Sequence, residues 1–556
     1  MVSNKFFYTV IGSCITVYIL GMFNIPLMDI DASQYASISR EMIERNSFLQ
    51  IFDQGQDYLD KPPLLFWLSA FSMQLLGVYD WAYRLPSLLV LLAGIYATYQ
   101  FAKMHYGSSI GKLSAMVLAS SQAVFLISHD VRTDTMLMGW VMLSIWQLSK
   151  WFQQQRWSNF ILAFIFIGCG MMTKGPIALM VPGLAFASHF LLQRNWKQFY
   201  RWEYLVGILI IAIILLPMCM GLYQQYDLQP GKLINGRPIE SGLRFYFWTQ
   251  SFGRYTGENF YHEMSHFTFL LENMFWSFLP WIFFFLPALF LVLKELLKQK
   301  LRISNEQEFI TTGGFLLTYL ILARSQAQLP HYIFVVYPLA AIITAKFLYD
   351  LFYLRKGVKW EKPLYYFHLF VMGSLWVAII AITGLVFVEV PVVFPILAIV
   401  GFGLFIWVAT KKIASIPTQL IIALMTSIGV NFFLSTSFYP HLLQYQMGND
   451  AAKTIKSKKL NPAEISLYGI HNSNALHFYA KHLFPYKSNK ELFRLNEKVL
   501  TSKDSIAVFK TLFPSTTIVH EGNQFAVSLL TLPFLNPATR QGEIPRYVIL
   551  DLDGKP

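Results

Sequence analysis

Up to about residue 440 the chain alternates long apolar runs with short polar breaks, and then the alternation stops. An apolar run of about 18–25 residues has the length of a helix that crosses a bilayer, whose hydrocarbon core is about 30 Å thick. Such runs fall near 6–28, 85–105, 109–128, 136–152, 158–173, 175–193, 204–224, 267–293, 308–323, 329–349, 364–388, 391–410 and 418–438. They predict a polytopic α-helical membrane protein with about thirteen transmembrane helices, several of marginal length. The first run follows a single lysine, Lys5, and lacks a small-residue cleavage site, so it reads as a retained signal anchor.

The polar breaks come in two kinds. One set is basic: Lys103 and Lys112; Lys150 and Arg156; Arg194, Lys197 and Arg201; Lys294 to Arg302; Arg355 to Lys362; Lys411 and Lys412. The alternate set holds Asp29, Asp31, Asp57, Asp60, Asp130, Asp134 and Glu258. Basic loops stay cytoplasmic, which predicts a cytoplasmic N-terminus and, after an odd number of spans, a periplasmic C-terminus in a bacterial inner (plasma) membrane.

Two outer loops are too long to be connectors. In the first, 29–84, the stretch SQYASISREMIERN has helical spacing of apolar residues, and Leu64 to Gly77 is an apolar segment too short to span. Both read as periplasmic juxtamembrane helices. The second, 225–266, is rich in Gly, Tyr and charge. Residues 1–439 thus form a transmembrane domain and 440–556 a small soluble periplasmic domain of α/β or α+β type. There EISLYGI, DSIAVF and FAVSLL suggest strands and NSNALHFYAKHLF a helix.

Composition changes this picture little. Only 13% of residues are charged, against about 25% in soluble domains. The net charge of +13 lies largely in the short basic loops, which argues against nucleic acid as a partner. Cys14, Cys169 and Cys219 each sit in an apolar run, without metal-type spacing or the makings of a disulfide framework.

Candidate chemistry gathers in the outer loops. Asp31, in MDIDASQYASISREM, sits where the first span meets the outer loop, half desolvated, as suits a general base; the plain alternative is a helix cap. Lys61, in Asp60-Lys61-Pro62-Pro63, is a rigidly held cation fit for a phosphate, or else a snorkelling turn residue. Asp130, Arg132 and Asp134 lie at a span edge, where charge is costly and usually functional; a structural ion pair is the alternative. Lys174 stands against the positive-inside trend and could be a mere interfacial anchor. Arg254 could contact phosphate. His262 and His266, four apart on one helix face, make a divalent metal conceivable, though a third ligand is lacking. Tyr332, in LPHYI, is a sugar or phosphate contact or an aromatic-belt residue.

Taken together, DASQYASISREM from Asp31, Asp60-Lys61-Pro62-Pro63, Thr133-Asp134, Lys174-Gly175-Pro176 and Leu329-Pro330-His331-Tyr332-Ile333 resemble ordered motifs of the C-type glycosyltransferases. The similarity is to the bacterial undecaprenyl-phosphate-aminoarabinose lipid A transferases, and more distantly to the protein O-mannosyltransferases, over roughly residues 20–350. The resemblance implies thirteen membrane helices, a periplasmic active site and an undecaprenyl-phosphate-sugar donor whose phosphate is the leaving group. It implies Asp31 as the catalytic carboxylate and Asp134 as its partner on the acceptor side. Lys61 and Arg254, with Lys174, would contact the donor phosphate, and Tyr332 would line the donor site. Asp60, Tyr35 and Arg132 would support them. The expected acceptor is lipid A, another envelope glycan or a protein, with no cofactor required. Two departures stand out: Ala32 and Gln34 replace the Glu and Arg of the family's DETRY stretch, and Asp60 shortens its Glu. The rival expectation is a transporter or flippase of lipid-linked sugars, against which the absence of a sequence repeat counts.

Overall fold

The computed structural model describes residues 2–234, 236–256, 258, 266–356, 358–387, 389–411 and 417–553. It is a multi-pass helical membrane protein carrying a small sheet-containing domain after residue 445.

Among the described residues, eight helices are long and apolar enough to cross a membrane, or nine if the bent pair Ser108–Ala119 and Gln122–His129 is one span. The expectation of about thirteen is not met by this measure, for local reasons. A helix fills Thr133–Gln154, but Asp134, Gln147 and Lys150 dilute its apolar run. Ile177–Gln193 and Ile310–Ala323 are helical but short. The run at 267–293 is split into Phe269–Ser277 and Ile282–Lys298 around Pro280.

In chain order, α1 is Asn4–Asn24, α2 Asp31–Arg45, α3 Leu64–Leu76, α4 Asp80–Tyr106, α5 Ser108–Ala119, α6 Gln122–His129, α7 Thr133–Gln154, α8 Trp157–Lys174 and α9 Ile177–Gln193. Where α5 gives way to α6 the axis bends by 57°, and lipid offers no water to the backbone groups this releases. The protein supplies partners instead. The Gln122 amide donates to the Leu279 carbonyl at 3.0 Å, and Ser427 Oγ donates to the Ser120 carbonyl. Helices α4 and α7 meet through Gly94 and Gly139, where a Cβ on Gly139 would lie 2.4 Å from the Val90 carbonyl oxygen. Small residues let the two backbones approach, as is common in membranes.

The end of α1 is set by Ile25 and Pro26, and the carbonyls it leaves unpaired go to one side chain. Arg84 on α4, 1% exposed, donates to the carbonyls of Met22 (2.8 Å), Ile25 (2.6 Å), Pro26 (3.1 Å) and His129 (2.9 Å). It therefore fixes where the chain leaves the first span and begins the loop 29–84.

Both juxtamembrane helices expected in that loop are present, as α2 and α3, joined through a two-residue hairpin pairing Phe52–Asp53 with Gln56–Asp57. The C-terminal sheet consists of β1 (Ile465–Tyr468), β2 (Lys498–Ser502), β3 (Thr517–Asn523) and β4 (Arg546–Asp551) in the order β1-β2-β4-β3. β1 and β2 are parallel and the other pairs antiparallel. Of the expected strands, EISLYGI supplies β1. DSIAVF instead leads into a helix, Ile506–Leu512, which buries Phe509 against one sheet face. FAVSLL forms no strand and stays outside the sheet: Val527 packs inward against the ends of membrane helices while Leu529 and Leu530 remain exposed. The helix expected in NSNALHFYAKHLF is Asn474–Ala480.

Replacing Arg84 with Met should strand four buried carbonyls. A loss of about 3 kcal/mol or more is expected, read as a lowered thermal unfolding midpoint in detergent, with Arg84→Lys intermediate. An unchanged midpoint would remove Arg84 from this role.

Candidate functional site

Five helix ends and the loops around residues 60, 250 and 327 converge on one cavity of about 460 Å³. Its polar half comes from Asp31, Asp60, Lys61, Arg132, Asp134, Lys174 and His331, its apolar half from Ile177, Leu179, Met180, Leu322 and Leu329.

Asp31 is the first residue of α2, where a carboxylate meets the positive end of the helix dipole. The turn before it is fastened by Asp29, whose Oδ1 accepts from Ser33 Oγ at 2.5 Å. Asp29 also accepts from Ser473 Oγ (2.6 Å) and the Ala475 amide (3.2 Å) of the C-terminal domain. Gln446 grips the same turn, accepting from the Asp29 amide and donating to the Leu27 carbonyl. Residues more than 400 positions downstream thus hold the approach to Asp31.

Arg132 precedes α7 and links the two halves of the site. Its Nη1 donates to Asp31 Oδ2 at 2.5 Å and its Nε to Asp130 Oδ2 at 3.0 Å. Just beyond it, Asp134 is 2% exposed and pairs with Lys174 Nζ at 2.5 Å. Its other oxygen lies 3.6 Å from His331 Nε2. Lys174 ends α8, where a cation suits the dipole, and its ammonium sits 4.2 Å from the centre of the Tyr332 ring. Lys61 pairs with Asp60 at 2.8 Å, and Gln250 donates to both the carboxylate and the backbone carbonyl of Asp60. Tyr35 lines the cavity; burial, with Asp31 and Asp60 nearby, pushes its hydroxyl well above the ordinary range, so it stays neutral.

Asp31, Asp134, Lys61, Lys174, Tyr332, Asp60, Tyr35 and Arg132 are therefore brought together as the sequence suggested. Arg254 belongs to the turn Gly253–Thr256, just after the cavity-lining Gln250, Ser251 and Phe252, but its side chain lies outside the described residues, as does His262. His266 is exposed and contacts Thr268 and Glu272 away from the cavity. Among the described residues no group of three or more His, Cys, Asp or Glu is placed to hold a metal. Sequence reasoning passed over His331 and Gln250. His331 could have been found beside Tyr332 in LPHYI; Gln250 is a neutral amide that carries no signal in a loop marked by its Gly, Tyr and charged residues. Gln34 donates to Asp53 at 2.6 Å and does not line the cavity.

Asp53 gives a titration to test. Burial, partly opposed by the Gln34 hydrogen bond, pushes its carboxyl up to about 6. The folded protein then binds this proton more tightly than the unfolded chain, so stability falls as pH rises from about 4 to 6. Asp53→Asn should raise the unfolding midpoint at pH 7, with the gain shrinking towards pH 4. A gain independent of pH would contradict the assignment.

Comparison with known proteins gives this geometry a context. A sequence profile described as dolichyl-phosphate-mannose-protein mannosyltransferase matches residues 60–220. An uncharacterized protein of Aquifex aeolicus is 26% identical over 81% of both chains. The undecaprenyl phosphate-alpha-4-amino-4-deoxy-L-arabinose arabinosyl transferase of Edwardsiella ictaluri is 24% identical over 57% of this chain and 55% of its own length. The chain thus matches a little over half of that transferase. Among solved structures, ArnT from Cupriavidus metallidurans bound to undecaprenyl phosphate superimposes over 100% of both chains with a TM-score of 0.74 at 17% identity. The fold is shared along the whole chain.

Proposed function

We propose that this homologue of the bacterial undecaprenyl-phosphate-aminoarabinose transferases moves a sugar from a polyprenyl phosphate, of the undecaprenyl class, to an envelope acceptor. The acceptor class is lipid A, another glycan or a protein. The observation that carries the reading is the two-sided cavity: paired cations and carboxylates face an apolar wall formed by membrane helices. A soluble nucleotide sugar has no use for that wall, whereas a prenyl phosphate needs both halves.

In this mechanism Lys61, with Arg254, stabilises the departing lipid phosphate, where preorganised charge is worth most. Asp31, anchored through Oδ2 on Arg132, uses Oδ1 to orient or deprotonate the attacking oxygen. Asp134 assists on the acceptor side and also holds Lys174, whose ammonium lies over the Tyr332 ring. The bond between sugar and phosphate supplies the driving force, so no cofactor is required.

Topology follows from the same arrangement. Asp31, Arg132, Lys174, Ile177 and His331 lie together, so the helices that start or end at them share one end of the bundle. The other ends of α7, α8 and α9 carry Lys150, Arg156 and Arg194, members of the basic set. We assign crossings also to Thr133–Gln154, Ile177–Gln193, Ile310–Ala323 and the broken run around Pro280, which makes thirteen with the bent pair counted once. The N-terminus is then cytoplasmic, and residues 1–439 form the transferase domain in the inner membrane. The cavity and residues 440–556 are periplasmic.

Asp31→Asn should lower transfer from an undecaprenyl-phosphate-linked sugar by about a hundredfold or more, with undecaprenyl phosphate binding retained. Wild-type turnover in this variant would remove Asp31 from the mechanism.

A further inference from the structure

The segment between β3 and β4 carries no charged residue from Gly522 to Thr539, although it belongs to the C-terminal domain. Its apolar side chains divide into two groups. Val527 and Phe534 turn inward and pack with Ile25, Phe387, Val390 and Phe438, at the outer ends of membrane helices. Leu529, Leu530 and Leu532 turn the other way and are 71%, 42% and 82% exposed. Three leucines within four residues, facing outward on a polar domain, carry a solvation cost that folding alone does not relieve.

The segment is held at a defined place. Arg540, buried, donates through Nε to the Phe534 carbonyl at 2.8 Å and through Nη2 to the Val386 carbonyl at the end of a membrane span. Its guanidinium stacks over Phe387 (4.8 Å), Phe534 (5.3 Å) and Tyr445 (5.5 Å). The Phe525 amide donates to the Tyr445 carbonyl at 2.9 Å. The base of the loop is therefore level with the end of the span Lys362–Val386 and packs with Val390, shortly before Val392 and Val393, which are themselves exposed at the start of the next span, Val393–Thr410.

We propose that residues 528–533 form a finger that inserts its leucines into the outer leaflet of the bilayer. The occupant is lipid because the leucines continue the apolar belt of adjacent spans, and because no charged group on the segment answers a polar partner. Amphipathic segments of this kind lie at the boundary of headgroups and acyl chains. The finger seats the C-terminal domain on the membrane from one side, while Ser473 and Gln446 fasten it to the Asp29 turn from the other. The inference rests on the membrane reading of the helices and is independent of the chemistry assigned to the cavity.

The test is a fluorophore sensitive to polarity, attached at Leu529→Cys, and separately at Leu532→Cys, in a full-length chain whose Cys14, Cys169 and Cys219 are replaced. The labelled protein is placed in nanodiscs with and without brominated phospholipid. Leu512→Cys, on the sheet face away from the membrane domain, is the control. Blue-shifted emission at 529 and 532, with most of the intensity quenched by brominated lipid and none at 512, is expected. Emission at 529 and 532 as water-like as at 512 would overturn the proposal. So would shielding that rises with protein density but ignores brominated lipid, which would place a second copy of the chain there.

Discussion

Arg132 is the joint on which the site depends. Asp31 belongs to a loop helix and Asp130 to the end of a membrane helix, and one guanidinium holds both carboxylates within 3.0 Å. Two acids at a membrane surface repel each other and resist desolvation, and a planar cation with several donors answers both problems at once. The same residue starts α7, so the helix that presents Asp134 to Lys174 and His331 is in register with the loop helix that presents Asp31. A point charge on a flexible stem, as in lysine, would not fix both directions.

The surroundings repeat this economy of a few polar fasteners in an apolar frame. Arg84 gathers the carbonyls at the exit of α1, and Asp29 gathers the following turn against the C-terminal domain. Both act on the short segment between the first span and Asp31. The catalytic proposal therefore rests on a piece of chain fixed from the membrane helices and from the C-terminal domain together. Direct bonds to residues 446, 473 and 475 explain why an activity centred on the loop after α1 would need a domain at the far end of the sequence.

Much of this was legible in the chain because lipid tolerates so little. Apolar runs had to be helices, and charges at their edges had to be gathered somewhere; Asp31, Asp60, Lys61, Arg132, Asp134 and Lys174 do line one cavity. What the sequence could not give was the pairing. Lys174 looked like a lone cation, yet it neutralises a buried aspartate forty positions away. The number of self-sufficient spans was overestimated because run length ignores proline breaks such as Pro280 and polar dilution such as Gln147 and Lys150 in α7. In the C-terminal domain, alternation misled twice: in FAVSLL the two faces divide between a packed base and an exposed leucine edge, which mimics a strand without a partner.

The central claim is that the cavity performs group transfer on a lipid phosphate rather than passing the lipid through. The most direct measurement follows purified protein in nanodiscs supplied with a sugar-linked undecaprenyl phosphate and an envelope-lipid acceptor, with lipid products resolved by mass spectrometry. The account predicts one molecule of undecaprenyl phosphate released for each acceptor glycosylated. An unaltered donor that merely changes leaflet when the protein is placed in sealed vesicles would contradict it.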